Sequence, residues 1–272
     1  MLLRSINRFA TFGVALAALF AVAAAADKTL EEPPDLLSKI RSRTAAHLSQ
    51  LPNYVCHEVL NRSVRRGSTW NRGDTVEFEV AFVGRQELFS RPGKDRFGEK
   101  SIEELAPGTV SNNVLGSHID MILASDSAEF RFAGTQKKDG RKTFRYDLKV
   151  SQEKSGFRVK HGGAEAIVPY EGSIWVDAET LDLVRADLKV NRIPSYVGVS
   201  SIEKSLHYKM IRIGDTDFLL PHNAEMTAVD DHGIYSLNMV SIDGCREFTG
   251  ESIITYTGPA QGTASRDRPD QK

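Results

Sequence analysis

Regular alternation of apolar and polar residues is the feature that most constrains how this chain can fold. Between Val76 and Phe82 every second residue is apolar, and Glu77, Glu79 and Ala81 stand between them. Successive side chains of a strand point to opposite faces, so a period of two indicates a β-strand with one buried face. The same alternation returns in later segments, at 130–132, 144–150, 184–190, 206–210, 224–228, 235–239 and 253–256.

Short turn signals separate these segments, among them Asp139-Gly140, Ser155-Gly156, Gly214-Asp215 and residues 230–233. Strands joined by short turns predict an antiparallel meander, whereas a βαβ protein would alternate strands with helices. A sheet of about ten strands tends to curl. We therefore predict a mainly β (α+β) fold, in which a single curled antiparallel sheet forms an open half-barrel. One or two helices cover its concave face.

Residues 36–51 are predicted to form an N-terminal helix. Pro33 and Pro34 precede it, Asp35 can cap it, and apolar residues recur near helical spacing. A second helix is predicted at residues 117–128. The β domain then extends over residues 27–256, and residues 257–272 form a tail of glycine, serine, proline and charged residues that is expected to be disordered.

The first 26 residues have the three parts of a secretory signal peptide. Arg4 and Arg8 supply the positive charge, residues 9–26 are uncharged and apolar, and the last three are alanines. We predict cleavage after Ala26 and a mature protein that is periplasmic or secreted. The alternative is an uncleaved anchor, although 18 residues is short for a span of ~30 Å. No later apolar run in the sequence is long enough to span a bilayer.

The cysteine count and the charge restrict the mature protein further. Cys56 and Cys245 are the two cysteines, and in an oxidising compartment they predict one disulfide; two free buried thiols are the alternative. The formal net charge is −1, and both signs are scattered along the chain. A nucleic-acid partner is therefore not expected, because such a partner requires a basic face.

Two motifs carry a resemblance to a known family. Residues 90–97 read Ser-Arg-Pro-Gly-Lys-Asp-Arg-Phe, and residues 172–177 read Gly-Ser-Ile-Trp-Val-Asp, followed by Leu-Val-Arg at 183–185. After a helix and early strands, this order resembles the periplasmic lipoprotein carriers of the LolA/LolB type. It also resembles uncharacterised exported bacterial proteins of that fold, whose Leu-Pro-Asn-Tyr-x-Cys start matches residues 51–56. The resemblance implies a LolA-like fold with a lipid-facing groove, although residues 108–126 depart from the carriers' pattern.

Three short motifs bear on catalysis or metal binding, and each favours a structural role. Residues 161–163, His-Gly-Gly, lack the Gly-x-Ser-x-Gly elbow that an esterase also needs, so a glycine-rich turn is the better interpretation. Neighbouring side chains of a strand point to opposite faces, so Cys56 and His57 do not form a nucleophile–base pair. Residues 230–232, Asp-Asp-His, precede a glycine and favour a turn over a metal site. We predict no enzyme activity, no cofactor and no metal.

The leading prediction is an exported, non-enzymatic, periplasmic protein that binds a hydrophobic ligand in its concave sheet. The ligand is a lipid, an acyl chain or a lipoprotein tail. A structural or protein-interaction module of the cell envelope, with a groove filled by its own helix, is the alternative, and a hydrolase with a noncontiguous site is least favoured. The residues predicted to line the groove are Phe78, Phe82, Phe130, Phe132, Phe144, Tyr146 and Trp175.

Overall fold

The computed structural model describes residues 31–84, 86–93, 97, 102–106, 122–123 and 126–248. The elements in chain order are α1 (Leu36–Gln50), β1 (Tyr54–Arg66), β2 (Thr69–Val83), β3 (Gln86–Ser90), α2 (Ile102–Leu105), β4 (Ala128–Lys138), β5 (Arg141–Val150), β6 (Arg158–His161), β7 (Ala164–Ile167), β8 (Tyr170–Asp177), β9 (Leu183–Val190), β10 (Val199–Ile213), β11 (Thr216–Asp230) and β12 (Tyr235–Glu247).

Four sequence predictions fall wholly or largely outside the described residues: the signal peptide at 1–26, the strand at 253–256, the tail at 257–272 and most of the helix at 117–128. The end of that helix is corrected, because Ala128 begins strand β4. The predicted cap of α1 is also wrong. Asp35 adopts a left-handed conformation with a φ of 57°, and its side chain makes no capping hydrogen bond.

Ten strands form one antiparallel sheet in the order β3-β2-β1-β12-β11-β10-β9-β8-β5-β4, while β6 and β7 form a separate hairpin. β3 and β4 are its two edges, so the sheet is not closed into a barrel. The predicted fold class, a single antiparallel sheet with helices, is confirmed. Asp139 and Gly140 make the β4–β5 turn with φ values of 48° and 78°, the positive range that a two-residue hairpin requires.

Strands from the two ends of the sequence pair at the β1–β12 junction, within the sheet. Glu58 on β1 lies opposite Ile242 on β12. At the irregularity that follows Val55 in this pairing, Cys56 is bonded to Cys245, with 4.0 Å between the Cα atoms. The predicted disulfide is confirmed, and the alternative of two free thiols is wrong.

Strand register divides the side chains between two faces. The face that we call the apolar face carries a continuous set of apolar side chains: Phe78, Leu60, Ile242, Ala224, Leu206, Leu188, Ile174, Tyr146 and Phe132. The opposite, polar face carries His57, Asp243, Ser205, Asp187, Ser173, Asp147 and Arg131. The core therefore lies on one side of the sheet. No helix within the described ranges is long and apolar enough to cross a membrane.

Candidate functional site

Helix α1 covers the apolar face with a narrow stripe. Leu36, Ile40 and Thr44 are buried at a spacing of four residues, and Leu37 and Leu48 pack beside them while partly exposed. A 15-residue helix that buries three side chains gains little from the hydrophobic effect. Other contacts must therefore hold α1 in place.

Ion pairs fasten α1 to loops at the rim of the sheet. Arg41 pairs with Asp126 at 3.3 Å, and both Arg43 and His47 contact Asp182 Oδ1 at 2.8 Å. Burial tends to raise the pKa of Asp182, but the hydrogen bonds from Arg43 and His47 outweigh it, so the pKa lies below its usual range. Asp182 is thus ionised when it holds the helix at neutral pH.

We expect Asp182→Asn to loosen α1 and to lower the free energy of unfolding by about 1 kcal/mol, because the pair is only partly shielded from water. Hydrogen exchange of the α1 amides should accelerate severalfold. Glu165→Gln, which removes the exposed pair with Arg158 on the β6–β7 hairpin, is the matched control and should leave α1 unchanged. Equal exchange of α1 in both variants would show that Asp182 does not hold the helix.

The residues predicted for the groove fall into three places. Phe78 and Phe82 on β2 are buried, and they pack against Phe89 and Tyr54 with ring centroids 6.2 and 5.4 Å apart. These two phenylalanines form part of the core near the β3 edge. Trp175 lies on the polar face, since it is opposite Arg145 in the sheet, and therefore does not join the other six.

The remaining four form an aromatic cluster near the β4 edge. Phe130, Phe132, Phe144 and Tyr146 lie on the apolar face, and Phe132 is 5.3 Å from Tyr146 and 6.3 Å from Phe144 between ring centroids. Tyr146 is buried, whereas the three phenylalanines are partly exposed. The apolar face is therefore accessible at this point.

Polar groups border the aromatic cluster. The Arg41 guanidinium lies 5.5 Å from the Phe130 ring centroid, and the Tyr146 hydroxyl donates a hydrogen bond of 2.6 Å to Glu32. Burial, together with Glu32, raises the pKa of Tyr146. The segment before α1 and α1 itself thus flank the exposed aromatic rings.

Buried ionisable residues on the apolar face were not anticipated from the sequence. Glu58 is 1% exposed and Lys204 is 3% exposed. Burial and the charge of Glu87 raise the pKa of Glu58 to about 8, and the positive charge of Lys204 reduces this rise. Burial also lowers the pKa of Lys204 to about 8. Glu58 on β1 and Lys204 on β10 influence each other although two strands lie between theirs, as a curled sheet allows.

Alternation along the strands is the sequence signal that would have identified Glu58 and Lys204 as residues of the apolar face. Glu58 stands two residues from Cys56 and Leu60, and Lys204 stands two residues from Leu206, so alternation places both on the apolar face. Among the described residues, the Oε1 atom of Glu58 is buried without a hydrogen-bond partner. A buried polar atom in this state is costly, so the site is chemically distinct from its apolar surroundings.

The Asp230–His232 cluster has the contacts of a turn. The Asp230 carboxylate accepts hydrogen bonds from the backbone N–H groups of His232 and Ile234, at 2.9 and 2.8 Å. The side chains of residues 230–232 offer ligand atoms within 4.8 Å of one another, and Asp231 and His232 are exposed. The turn-forming bonds account for the acidic residues at this position.

These features define a single-sheet β protein with one apolar face, a helix fastened over it and an accessible aromatic cluster at one side. Neither a protein-family model nor a curated protein sequence matches the chain. Among solved structures, the chain is similar to a DUF1329 family protein from Desulfovibrio piger, with 15% identity over 82% of this chain and 96% of that one, at a TM-score of 0.43.

The chain is also similar to two further solved structures. One is a LolA superfamily protein from Nitrosomonas europaea, with 10% identity, 79% of this chain and 94% of that one covered, and a TM-score of 0.38. The other is a putative outer membrane lipoprotein-sorting protein domain from Vibrio parahaemolyticus, with 11% identity, 79% and 93% covered, and a TM-score of 0.38.

Proposed function

We propose that this chain is a non-enzymatic binding protein of the cell envelope that holds an acyl chain against the apolar face of its sheet. The observation that carries the proposal is the aromatic cluster: Phe130, Phe132 and Phe144 are partly exposed yet continuous with the buried core. A concave apolar surface with few polar groups is the usual form of a site for a hydrophobic ligand.

The position of α1 supports the same function. Leu36 and Ile40 supply most of the apolar burial of α1, and partly exposed ion pairs supply much of its remaining attachment to the sheet. α1 can therefore separate from the sheet at modest cost. Such a movement would extend the exposed aromatic surface along the apolar face.

The envelope location rests on the predicted signal peptide together with the Cys56–Cys245 disulfide, which forms in oxidising compartments. An acyl chain could belong to a free fatty acid, a phospholipid or a lipoprotein. The experiment therefore uses one probe of each kind: palmitate, a phosphatidylglycerol and a synthetic triacylated lipopeptide.

We expect the chain beginning at Asp27 to bind at least one of these probes in native mass spectrometry and to displace a dansyl fatty acid. Phe132→Glu places a charge among the partly exposed rings and should weaken binding about tenfold or more. Met239→Glu is the matched control, because Met239 is 51% exposed on the polar face. If no probe binds, or if both variants bind as the parent does, the proposal is wrong.

A second candidate is an interaction module whose groove is filled by the chain itself. Ile102, Ala106, Ile122 and Leu123 are buried in the same core as α1, so the chain already supplies apolar groups of its own there. In this case acyl probes stay unbound, and an extract of the envelope yields a stoichiometric protein partner.

A further inference from the structure

The polar face of the sheet, opposite to α1, contains a groove of about 940 Å³. The groove crosses β4, β5, β8, β9 and β10, and we call it the polar groove. Ligand sites occupy ~300–1,000 Å³, so the polar groove is large enough for a ligand of several units. A second cavity of about 450 Å³ shares Glu129, Lys149, Glu171 and Lys189 with it and extends it towards Asn191.

Two copies of one sequence motif line the polar groove. Residues 145–150 read Arg-Tyr-Asp-Leu-Lys-Val, and residues 185–190 read Arg-Ala-Asp-Leu-Lys-Val. In the first copy, Arg145 Nε donates to Asp147 Oδ1 at 2.9 Å, and Arg145 Nη2 donates to Ser173 Oγ on the next strand at 3.1 Å.

The second copy repeats this geometry. Arg185 Nε donates to Asp187 Oδ1 at 2.6 Å, and Arg185 Nη2 donates to Ser205 Oγ on the next strand at 3.3 Å. Each copy thus presents a guanidinium, a carboxylate and a hydroxyl in the same order. The polar groove is therefore built from a repeated unit of donors and acceptors.

A row of alternating charges runs beside the two copies. Strand register places Glu129, Lys149, Glu171, Lys189 and Glu203 opposite one another in turn across five strands. Lys189 Nζ lies 3.0 Å from Glu203 Oε1. Positive and negative groups thus compensate each other along the polar groove, which leaves no field of one sign for a polyanion or a polycation.

Trp175 lines the polar groove beside the first copy of the motif. Its side chain is largely buried, with a residue exposure of 6%, and Lys138 Nζ lies 4.3 Å from the ring centroid. Within the part of the chain that the structure describes, the buried Nε1–H group has no hydrogen-bond acceptor. An unpartnered buried donor is costly, and an acceptor on a bound ligand is one group that would satisfy it.

We infer that the polar groove binds a neutral oligosaccharide. A sugar hydroxyl both donates and accepts, so a row of hydroxyls can bond alternately to guanidinium and carboxylate groups. Hydrogen bonds to charged groups are the stronger kind, and they need no net charge on the ligand. A repeated unit on two pairs of neighbouring strands fits a ligand that itself repeats. The polar groove lies on the opposite face of the sheet from the acyl-binding face, and Phe130 on the edge strand β4 borders both.

The test uses the chain from Asp27 with Trp70→Phe, which leaves Trp175 as the only tryptophan, since the sequence has two. The probes are maltotetraose, cellotetraose, N-acetylchitotetraose and mannotetraose, followed by Trp175 emission and calorimetry. We expect at least one of them to bind with a Kd below about 1 mM. Affinity should change less than about twofold between 0.05 and 0.5 M NaCl, because the ligand is neutral.

Asp187→Asn removes one charged acceptor and should weaken saccharide binding about tenfold or more. Ser205→Ala should also weaken saccharide binding. It is the smaller change, so it tests the inference if Asp187→Asn does not fold. Asp217→Asn is the matched control, because Asp217 forms the same kind of pair with Arg212 on the β10–β11 hairpin, outside the groove. Dansyl fatty acid binding should be unchanged in all three variants.

Three outcomes would overturn the inference: no tetrasaccharide binds at about 10 mM, Asp187→Asn and Ser205→Ala bind as the parent does, or an anionic heparin hexasaccharide alone binds and is released by salt. In the first two cases the polar groove is a solvated sheet face, and in the third it is a site for anions. Failure here leaves acyl binding intact, and loss of acyl binding leaves the saccharide result intact, so the two proposals fail separately.

Discussion

Removal of the Cys56–Cys245 disulfide is expected to lower the free energy of unfolding by about 3–5 kcal/mol. The bridge joins residues 189 positions apart, and closing so long a loop removes much of the conformational entropy of the unfolded chain. Domains are typically stable by only ~5–15 kcal/mol, so this loss would take a large share of the total. Urea denaturation of Cys56→Ala/Cys245→Ser beside the oxidised parent measures it.

The single variant Cys245→Ser retains the buried Cys56 side chain. It therefore separates the contribution of the disulfide to stability from that of the packing of Cys56. It should be within about 1 kcal/mol of the double variant. The parent in excess dithiothreitol should behave as the single variant does. Equal urea midpoints for the oxidised parent and the double variant would show that the bridge contributes little.

The free energy of unfolding is expected to fall as the pH rises from 5 to 8, and Glu58→Gln should abolish this fall. Burial raises the pKa of Glu58 to about 8, so the unfolded chain releases this proton near pH 4.5 and the folded chain keeps it. A raised folded pKa means that stability is complete below the unfolded pKa and is lost as the pH approaches 8. The full loss corresponds to about 5 kcal/mol.

Urea titrations at pH 5, 6, 7 and 8 test this, and the difference between Glu58→Gln and the parent should grow steadily with pH. Lys204, whose pKa is lowered to about 8, adds stability above this range, where the folded protein has released the proton and the unfolded chain still holds it. Glu225→Gln, on the exposed polar face, is the matched control and should follow the parent. A constant difference between Glu58→Gln and the parent would show that Glu58 is ionised in the folded protein.

Local patterns in the sequence were sufficient to predict the sheet, the turns and α1, because a period of two, a helical spacing and a glycine in a turn are local properties. They were not sufficient for Trp175. Ile174 and Trp175 are adjacent and both apolar, so only the register, with Ile174 opposite Tyr146, decides which of them enters the core. The site prediction therefore placed one aromatic residue on the wrong face.

The buried charged residues were missed in the sequence for a different reason. Glu58 and Lys204 occupy positions that parity assigns to the core, but a charged residue is normally interpreted as exposed. The pairing of β1 with β12 was likewise indicated only by the two cysteines, since no local pattern reports contacts between distant segments.

The position of β12 beside β1 has a consequence for how the chain becomes structured. Among the described strands, the second partner of β1 is the last in the sequence, so β1 is paired on both sides only when residues up to Glu247 have been made. Contacts between segments so far apart in sequence slow folding, and unpaired strands are exposed in the meantime. A ribosome-bound chain can form the β1–β3 hairpins, but the described sheet is complete only after β12 has been made.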